Sequence, residues 1–161
     1  MSKLHLYKAT TRWTGNNGEG TVSYTGYGRN HDISIPGKPD LKCSSDPAFR
    51  GDSARHNPED LLVSALSGCH MLWYLHLCAE NGVVVTEYVD EAKGEMEFNR
   101  NGSGQFREVV LSPKVAVLEE SMITKANALH HEANKMCFLA RSMNFPVSHK
   151  PTAFVSTISQ Q

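Results

Sequence analysis

Asn57-Pro58-Glu59-Asp60-Leu61-Leu62-Val63-Ser64-Ala65-Leu66-Ser67-Gly68-Cys69-His70-Met71-Leu72-Trp73-Tyr74-Leu75-His76-Leu77-Cys78-Ala79-Glu80-Asn81-Gly82 reads as one helix with both ends marked. Asn57 suits the N-cap, Pro58 the first helical position, and Glu59 and Asp60 the positive end of the dipole. Asn81-Gly82 supplies the stop, so the helix should end near Glu80. From Leu61 to Ala79 there is no Lys, Arg, Asp or Glu. At ~1.5 Å per residue such a helix could cross a bilayer. Ser64, Ser67, Gly68, His70 and His76 interrupt it, however, and no basic cluster flanks it. The better reading is a helix apolar on every side and therefore buried on every side. A small domain has difficulty surrounding such a helix alone, and a second subunit would solve that problem.

Working outward, residues 4 to 36 read as strands and turns. Leu4, Leu6 and Ala9 alternate with polar residues, Thr21 to Tyr24 are strand formers, and His31 to Ile35 is a short strand stopped by Pro36-Gly37. Residues 37 to 56 form a long loop, a common carrier of function. After the helix, Val83 to Phe98 and Phe106 to Leu118 make a hairpin, with Pro113 at an edge or bulge. Ser121 to about Met143 is a second helix, and Thr152 to Ile158 a closing strand. Strands, helix, hairpin, helix, strand is an α+β order rather than alternating βαβ.

The 161 residues suit a single domain, 1–161, large enough for its own core. With 40% hydrophobic and 20% charged residues the chain is not a disordered one. Sixteen Lys plus Arg against 17 Asp plus Glu give no basic excess, so nucleic acid and membrane surfaces are not expected partners. The N-terminus lacks a signal-peptide pattern, and the expected compartment is the cytoplasm. Four cysteines without CxxC spacing (Cys43, Cys69, Cys78 and Cys137) are too sparse for a disulfide scaffold.

Cys69 lies in the middle of the apolar helix and Cys137 in the second helix. Taken alone, each reads first as a small buried filler and only second as a reactive thiol. If the two helices pack, the thiols could meet. One could then attack a peroxide and the other resolve the sulfenic acid, given a nearby cation to lower the thiol pKa.

Asn57-Pro58-Glu59-Asp60-Leu61-Leu62, followed by Ala65 and Ser67-Gly68-Cys69, resembles the signature of the OsmC/Ohr family, the osmotically induced protein C and organic hydroperoxide resistance proteins. The ten-residue step from Glu59 to Cys69 and the 68 residues from Cys69 to Cys137 match the family pattern. The likeness extends from about Trp13 to the closing strand. It implies an intertwined homodimer in which an antiparallel sheet wraps central helices. It further implies a thiol peroxidase that reduces organic hydroperoxides without metal or other cofactor and is recycled by a dithiol reductant, for instance of lipoyl type. By position, Cys69 is the peroxidatic thiol, Cys137 the resolving thiol, and Glu59 the partner of an active-site arginine. Arg50 is the first candidate for that arginine and Arg55 the second, with Arg29 or His70 next.

Three features depart from the family pattern. Phe138 stands where Pro often follows the resolving cysteine, so the second helix could run through Cys137. His70 follows Cys69, and His70 to Tyr74 is bulkier than usual. Along one helix, ten residues span ~15 Å and leave side chains about 80° apart. Glu59 therefore cannot touch Cys69 of its own helix, and a shared site needs a two-fold partner.

Two other readings stand beside the enzyme. One is a metal centre built from Cys69, His70, His76, His130, His131 and Cys137, although adjacent His130-His131 reads more simply as a polar helix face. The other is a non-catalytic small-ligand binder on the same fold. Met71, Trp73, Met136, Phe138 and Phe145 would favour an apolar alkyl or lipid hydroperoxide, or simply be core. Cys78 should be buried, and Cys43 exposed in its loop.

Overall fold

The computed structural model describes residues 3–155, so the last part of the expected closing strand, 156–158, lies outside the described residues. The chain divides into two compact units, one up to Leu62 and one from Val63.

The first unit is a three-stranded antiparallel sheet in chain order, β1 (Thr10–Trp13), β2 (His31–Ser34) and β3 (Leu41–Cys43). Residues 4 to 9 and 21 to 24 form no strand, contrary to the expectation from their alternation and side-chain types. Around residues 21 to 24 turn chemistry wins. Asn16 Oδ1 accepts from the N–H groups of Gly18 and Gly20, and Gly28 N–H donates to Gly15 O at 2.8 Å. The expected loop 37–56 contains β3 and a single 3-10 turn, Pro47–Phe49. Its backbone folds back on β3, with Ser44 N–H donating to His56 O at 2.9 Å. Cys43, expected in an exposed loop, is consequently fully buried.

Helix α1 (Pro58–Glu80) ends as its flanking residues dictate. Asn57 Oδ1 accepts from Asp60 N–H at 2.7 Å, which satisfies one of the free donors of the first turn. At the other end Gly82 takes φ +70°. Val83 N–H then donates to Cys78 O at 2.9 Å and Gly82 N–H to Ala79 O, closing the last carbonyls.

The second unit carries six strands: β4 (Val85–Asp90), β5 (Lys93–Phe98), β6 (Gly104–Leu111), β7 (Pro113–Val117), β8 (Val147–His149) and β9 (Thr152–Val155). They form two sheets, ordered β4-β7-β9 and β5-β6-β8. The hairpin arms pair antiparallel, while β8 and β9 join in parallel to β6 and β7. Each arm that the sequence suggested as continuous is thus creased. Pro113 opens β7 directly after the crease, where its missing N–H costs no ladder bond.

Asp90 holds the crease. Its carboxylate accepts from Ser112 N–H at 2.6 Å through one oxygen and from the Ser67 hydroxyl at 2.5 Å through the other, tying both arms to α1. Helix α2 (Ile123–Met136) covers the β4-β7-β9 side, and Tyr74, Cys78, Val83, Val115, Val117, Ala126, Leu129 and Ala133 form the core between them. Leu66, His70, Tyr74 and Cys78 are the buried positions of α1. Their spacing of four marks a single face.

Removing the Asp90 carboxylate should leave a partly buried N–H and a hydroxyl without an acceptor, at a cost of about 1–3 kcal/mol. Urea unfolding of Asp90→Ala should show that loss, with Asp90→Asn losing less because one oxygen remains. Unchanged unfolding in both variants would remove Asp90 from this role.

Candidate functional site

Cys69 sits one position before buried His70 on α1, turned by one residue off the buried face, and its thiol is partly exposed. Cys137 is placed differently from expectation. Helix α2 stops at it: Cys137 has ψ 109° while its N–H still donates to Ala133 O at 3.0 Å. The chain continues in a 3-10 turn, Ala140–Ser142, and not as helix to Met143. The apolar spacing persists through this turn, which is why it mimics helix in the sequence.

The exit from the helix places the Cys137 sulfur among backbone donors. Ala140 N–H points at Sγ at 3.4 Å, and the backbone of Leu139 also donates to it. The Cys69 thiol is a neighbour of Cys137, near enough to act on its sulfur. Burial first, and then the Cys69 sulfur, push the Cys137 thiol up to about 11, while the two N–H groups pull the other way. Two cysteines 68 residues apart are thereby brought together, with Cys137 1% exposed.

A cavity of about 340 Å³ opens beside Cys69, lined by Cys69, Leu72, Trp73, His76 and Phe138. On α1 these are positions i, i+3, i+4 and i+7, one stripe of the helix. Trp73 meets Phe138 and His76 edge-on, with ring centroids 5.5 and 5.7 Å apart. The lining is apolar apart from the thiol and the imidazole. Leu72 and His76 belong to a lining that the Met and aromatic residues of the sequence do not announce, although the i, i+3, i+7 step from Cys69 carries that signal. Phe145 lies elsewhere, packed on Phe106.

Arg50, Arg55 and Glu59 belong to the first unit. Arg50 has φ +66° and closes the 3-10 turn Pro47–Phe49. The loop around it is tied by Asp46 to Ala48 N–H and by the Ser44 hydroxyl to Asp52 N–H. Among the described residues the Arg50 guanidinium makes no ion pair. Arg55 makes two, to Asp32 and Asp52, both at 3.5 Å. Arg29 is engaged as well: its guanidinium donates to the carbonyls of Tyr24 and Tyr27 and stacks on both rings. Glu59 Oε2 is buried and has no hydrogen-bond partner among the described residues.

The histidines give the largest correction. His130, expected on a polar face, is fully buried, as is His70. His70 Nε2 and His130 Nδ1 share a hydrogen bond at 3.0 Å, and His130 lies flat on Tyr74 with centroids 3.8 Å apart. His149, which carries no signal in the sequence, lies beside them, tilted by 30° against His70 with centroids 5.6 Å apart. Among the described residues no group of three or more His, Cys, Asp or Glu is arranged to hold a metal ion.

Burial, then the neighbouring His149, lowers the His70 pKa to about 4, with Asp90 opposing. Burial, then His70 and His149, lowers that of His130 to about 3. Both rings are therefore neutral in the folded protein near pH 7, one donating and one accepting. Because their folded pKa values lie below the unfolded value near 6.5, the stability linked to them is complete above pH 6.5. It is lost as pH falls towards 4. Urea midpoints should fall across that window, and His130→Phe should flatten the slope while keeping a ring on Tyr74. A wild-type midpoint constant from pH 6.5 to 4 would contradict this.

Residues 51–151 match the family of OsmC-like proteins. No curated protein matches the chain. Among solved structures, an OsmC-like protein of unknown function from Vibrio cholerae O1 biovar eltor is 28% identical with a TM-score of 0.83, over 92% of this chain and 99% of that one. An organic hydroperoxide resistance protein from Elizabethkingia anophelis, crystallised with thiocyanate, is 17% identical with a TM-score of 0.69, over 97% and 100%. A putative organic hydroperoxide resistance protein from the same Vibrio strain, with captopril in one of its active sites, is 21% identical with a TM-score of 0.67, over 95% and 94%. These last two likenesses show the fold.

Proposed function

The chain belongs to the family of OsmC-like proteins, and from that premise we propose that it is a cysteine-based peroxidase reducing organic hydroperoxides to alcohols. The observation that carries the reading is the contact between the Cys69 and Cys137 thiols beside an apolar cavity. Cys69 is the more exposed of the two and faces that cavity, so it is the nucleophile. Its thiolate attacks the outer peroxide oxygen and becomes a sulfenic acid as the alkoxide departs. Cys137 then displaces the sulfenic oxygen as water, leaving a disulfide. A dithiol reductant returns both thiols by exchange. The names carried by relatives from Elizabethkingia and Vibrio agree with organic hydroperoxides as the class.

A guanidinium at Cys69 favours the thiolate and stabilises charge on the leaving oxygen. Arg50 is assigned to this task. Arg55 is already held by two carboxylates, whereas the Arg50 side chain is free of ion pairs among the described residues. Glu59, with its unpartnered oxygen, would hold the planar fork in a bidentate pair.

The same reading requires a homodimer. Only 22% of the most apolar part of α1 is buried in one chain. Leu72 is 66% exposed, and a Cβ on Gly68 would meet nothing within 4 Å, so a second helix has room to approach closely. Exposed Leu4, Leu6 and Tyr7 add a second uncovered apolar segment. The rival non-catalytic binder would use the same cavity but needs no second cysteine.

Cys69→Ser should abolish consumption of tert-butyl hydroperoxide while leaving the far-ultraviolet spectrum unchanged. Undiminished turnover would reject the enzyme. In the same assay, Arg50→Ala should slow oxidation of Cys69 at least ~100-fold, as for loss of one electrostatic donor. Glu59→Ala should act more weakly in the same direction. A wild-type rate in Arg50→Ala with a slow Arg55→Ala would move the cation to Arg55.

A further inference from the structure

We propose that Cys137 acts before it resolves: its S–H donates the proton that the departing alkoxide takes, and only then does its thiolate attack Cys69. The inference rests on the peroxidase reading. It starts from where the two sulfurs sit and from what surrounds the leaving oxygen.

A peroxide seated on Cys69 lies in the 340 Å³ apolar cavity. An alkoxide expelled there is a strong base: a guanidinium can ease its charge, but the apolar lining offers it no water, so proton delivery to it lowers the barrier. Among the described lining side chains the proton donors besides Cys69 are the Trp73 indole, far too weak an acid, and His76. His76 is seven residues along the helix from Cys69, ~10 Å away. Cys137 is the other candidate, since its thiol neighbours the attacking sulfur itself. Cys137 immediately precedes Phe138, which lines the cavity, and so stands at the cavity wall beside Cys69.

Cys137 is built to hold a proton until that moment. It is 1% exposed and cannot trade its proton freely with solvent. Burial and the adjacent Cys69 sulfur keep it protonated at neutral pH. An alkoxide is a stronger base than any thiolate, so transfer from Cys137 is downhill. The product is prepared for as well. Ala140 N–H at 3.4 Å and the Leu139 backbone already point at Sγ and would stabilise the thiolate that remains.

The steps balance. Cys69 thiolate attacks the outer oxygen of ROOH, the S–O bond forms and the O–O bond breaks, giving Cys69 sulfenic acid and RO⁻. The Cys137 S–H proton passes to RO⁻, giving ROH and Cys137 thiolate. That thiolate attacks the Cys69 sulfur, the S–S bond forms, and hydroxide leaves to be protonated by solvent. The peroxide is the oxidant and the two thiols are the reductant. Cys137 thus becomes a nucleophile only once a peroxide has been cleaved, which orders the two steps.

The test uses single-turnover oxidation of Cys69 in wild type, Cys137→Ala and Cys137→Ser, followed by dimedone trapping and peptide mass spectrometry. Three reagents differ in what the leaving group needs. tert-Butyl hydroperoxide expels a basic alkoxide, peracetic acid expels a weakly basic carboxylate, and iodoacetamide expels iodide and needs no proton. At a pH where Cys69 is fully ionised, Cys137→Ala should slow tert-butyl hydroperoxide by about 100-fold, the usual worth of general acid catalysis, and Cys137→Ser, whose hydroxyl still carries a transferable proton, by less. Rates with peracetic acid and iodoacetamide should stay at the wild-type value. An equal slowing by all three reagents would overturn the proposal, because Cys137 would then only tune the Cys69 thiolate or the local packing. No slowing by any reagent would overturn it too and leave Cys137 as resolver alone. If wild-type Cys69 is not oxidised by tert-butyl hydroperoxide at all, the peroxidase reading itself fails. Cys137→Ser, close in size, guards against loss of fold in Cys137→Ala.

Discussion

Helix α1 is apolar around its whole circumference, yet one chain covers fully only the face made by Leu66, His70, Tyr74 and Cys78. Everything else is arranged around that imbalance. The covered face fixes α1 on the sheet through Tyr74 and Cys78 in the core and through Ser67 on Asp90. The face turned away carries Ala65, Gly68 and Leu72, small or apolar residues whose exposure is costly in water. Cys69 sits at the margin between the two faces. It is close enough to the packed side to reach Cys137 and open enough to face a cavity.

That margin gives the thiol pair its asymmetry. Cys137 lies at the end of α2, where the chain has left the helix and its own backbone N–H groups close around the sulfur. Cys69 lies in mid-helix, where no free backbone donor is available to it. Whatever favours the Cys69 thiolate must therefore come from side chains or from a neighbouring chain. This is why the proposed function calls on Arg50 and Glu59. The stacked His70, His130 and Tyr74 behind the cysteine are neutral and densely packed. They suit a rigid backing for the site rather than a source of charge.

Helix α1 was legible because its signals are local: an N-cap at Asn57, Pro58 behind it, and a left-handed Gly82 at the end. The hairpin was legible from its β-branched runs, but its creases at Asp90 and Ser112 were not. They depend on a carboxylate meeting a backbone N–H 22 residues away. The end of α2 was misread because no glycine or proline marks Cys137, and the following 3-10 turn keeps helical spacing. Burial of His130 had a readable signal, since it shares a face with Ala126, Leu129 and Ala133. Cys43 had none, because its cover is a loop that returns thirteen residues later. The Cys69–Cys137 pairing came from family likeness rather than from any pattern in the residues themselves.

The central claim is that these two thiols form one redox unit. Titration of the reduced protein with one equivalent of tert-butyl hydroperoxide, followed by acid quench and peptide mapping without reductant, tests it most directly. The account predicts a single disulfide joining the Cys69 and Cys137 peptides, with Cys43 and Cys78 still free. A stable sulfenic acid on Cys69 with Cys137 still reduced, or a disulfide to any other cysteine, would contradict it.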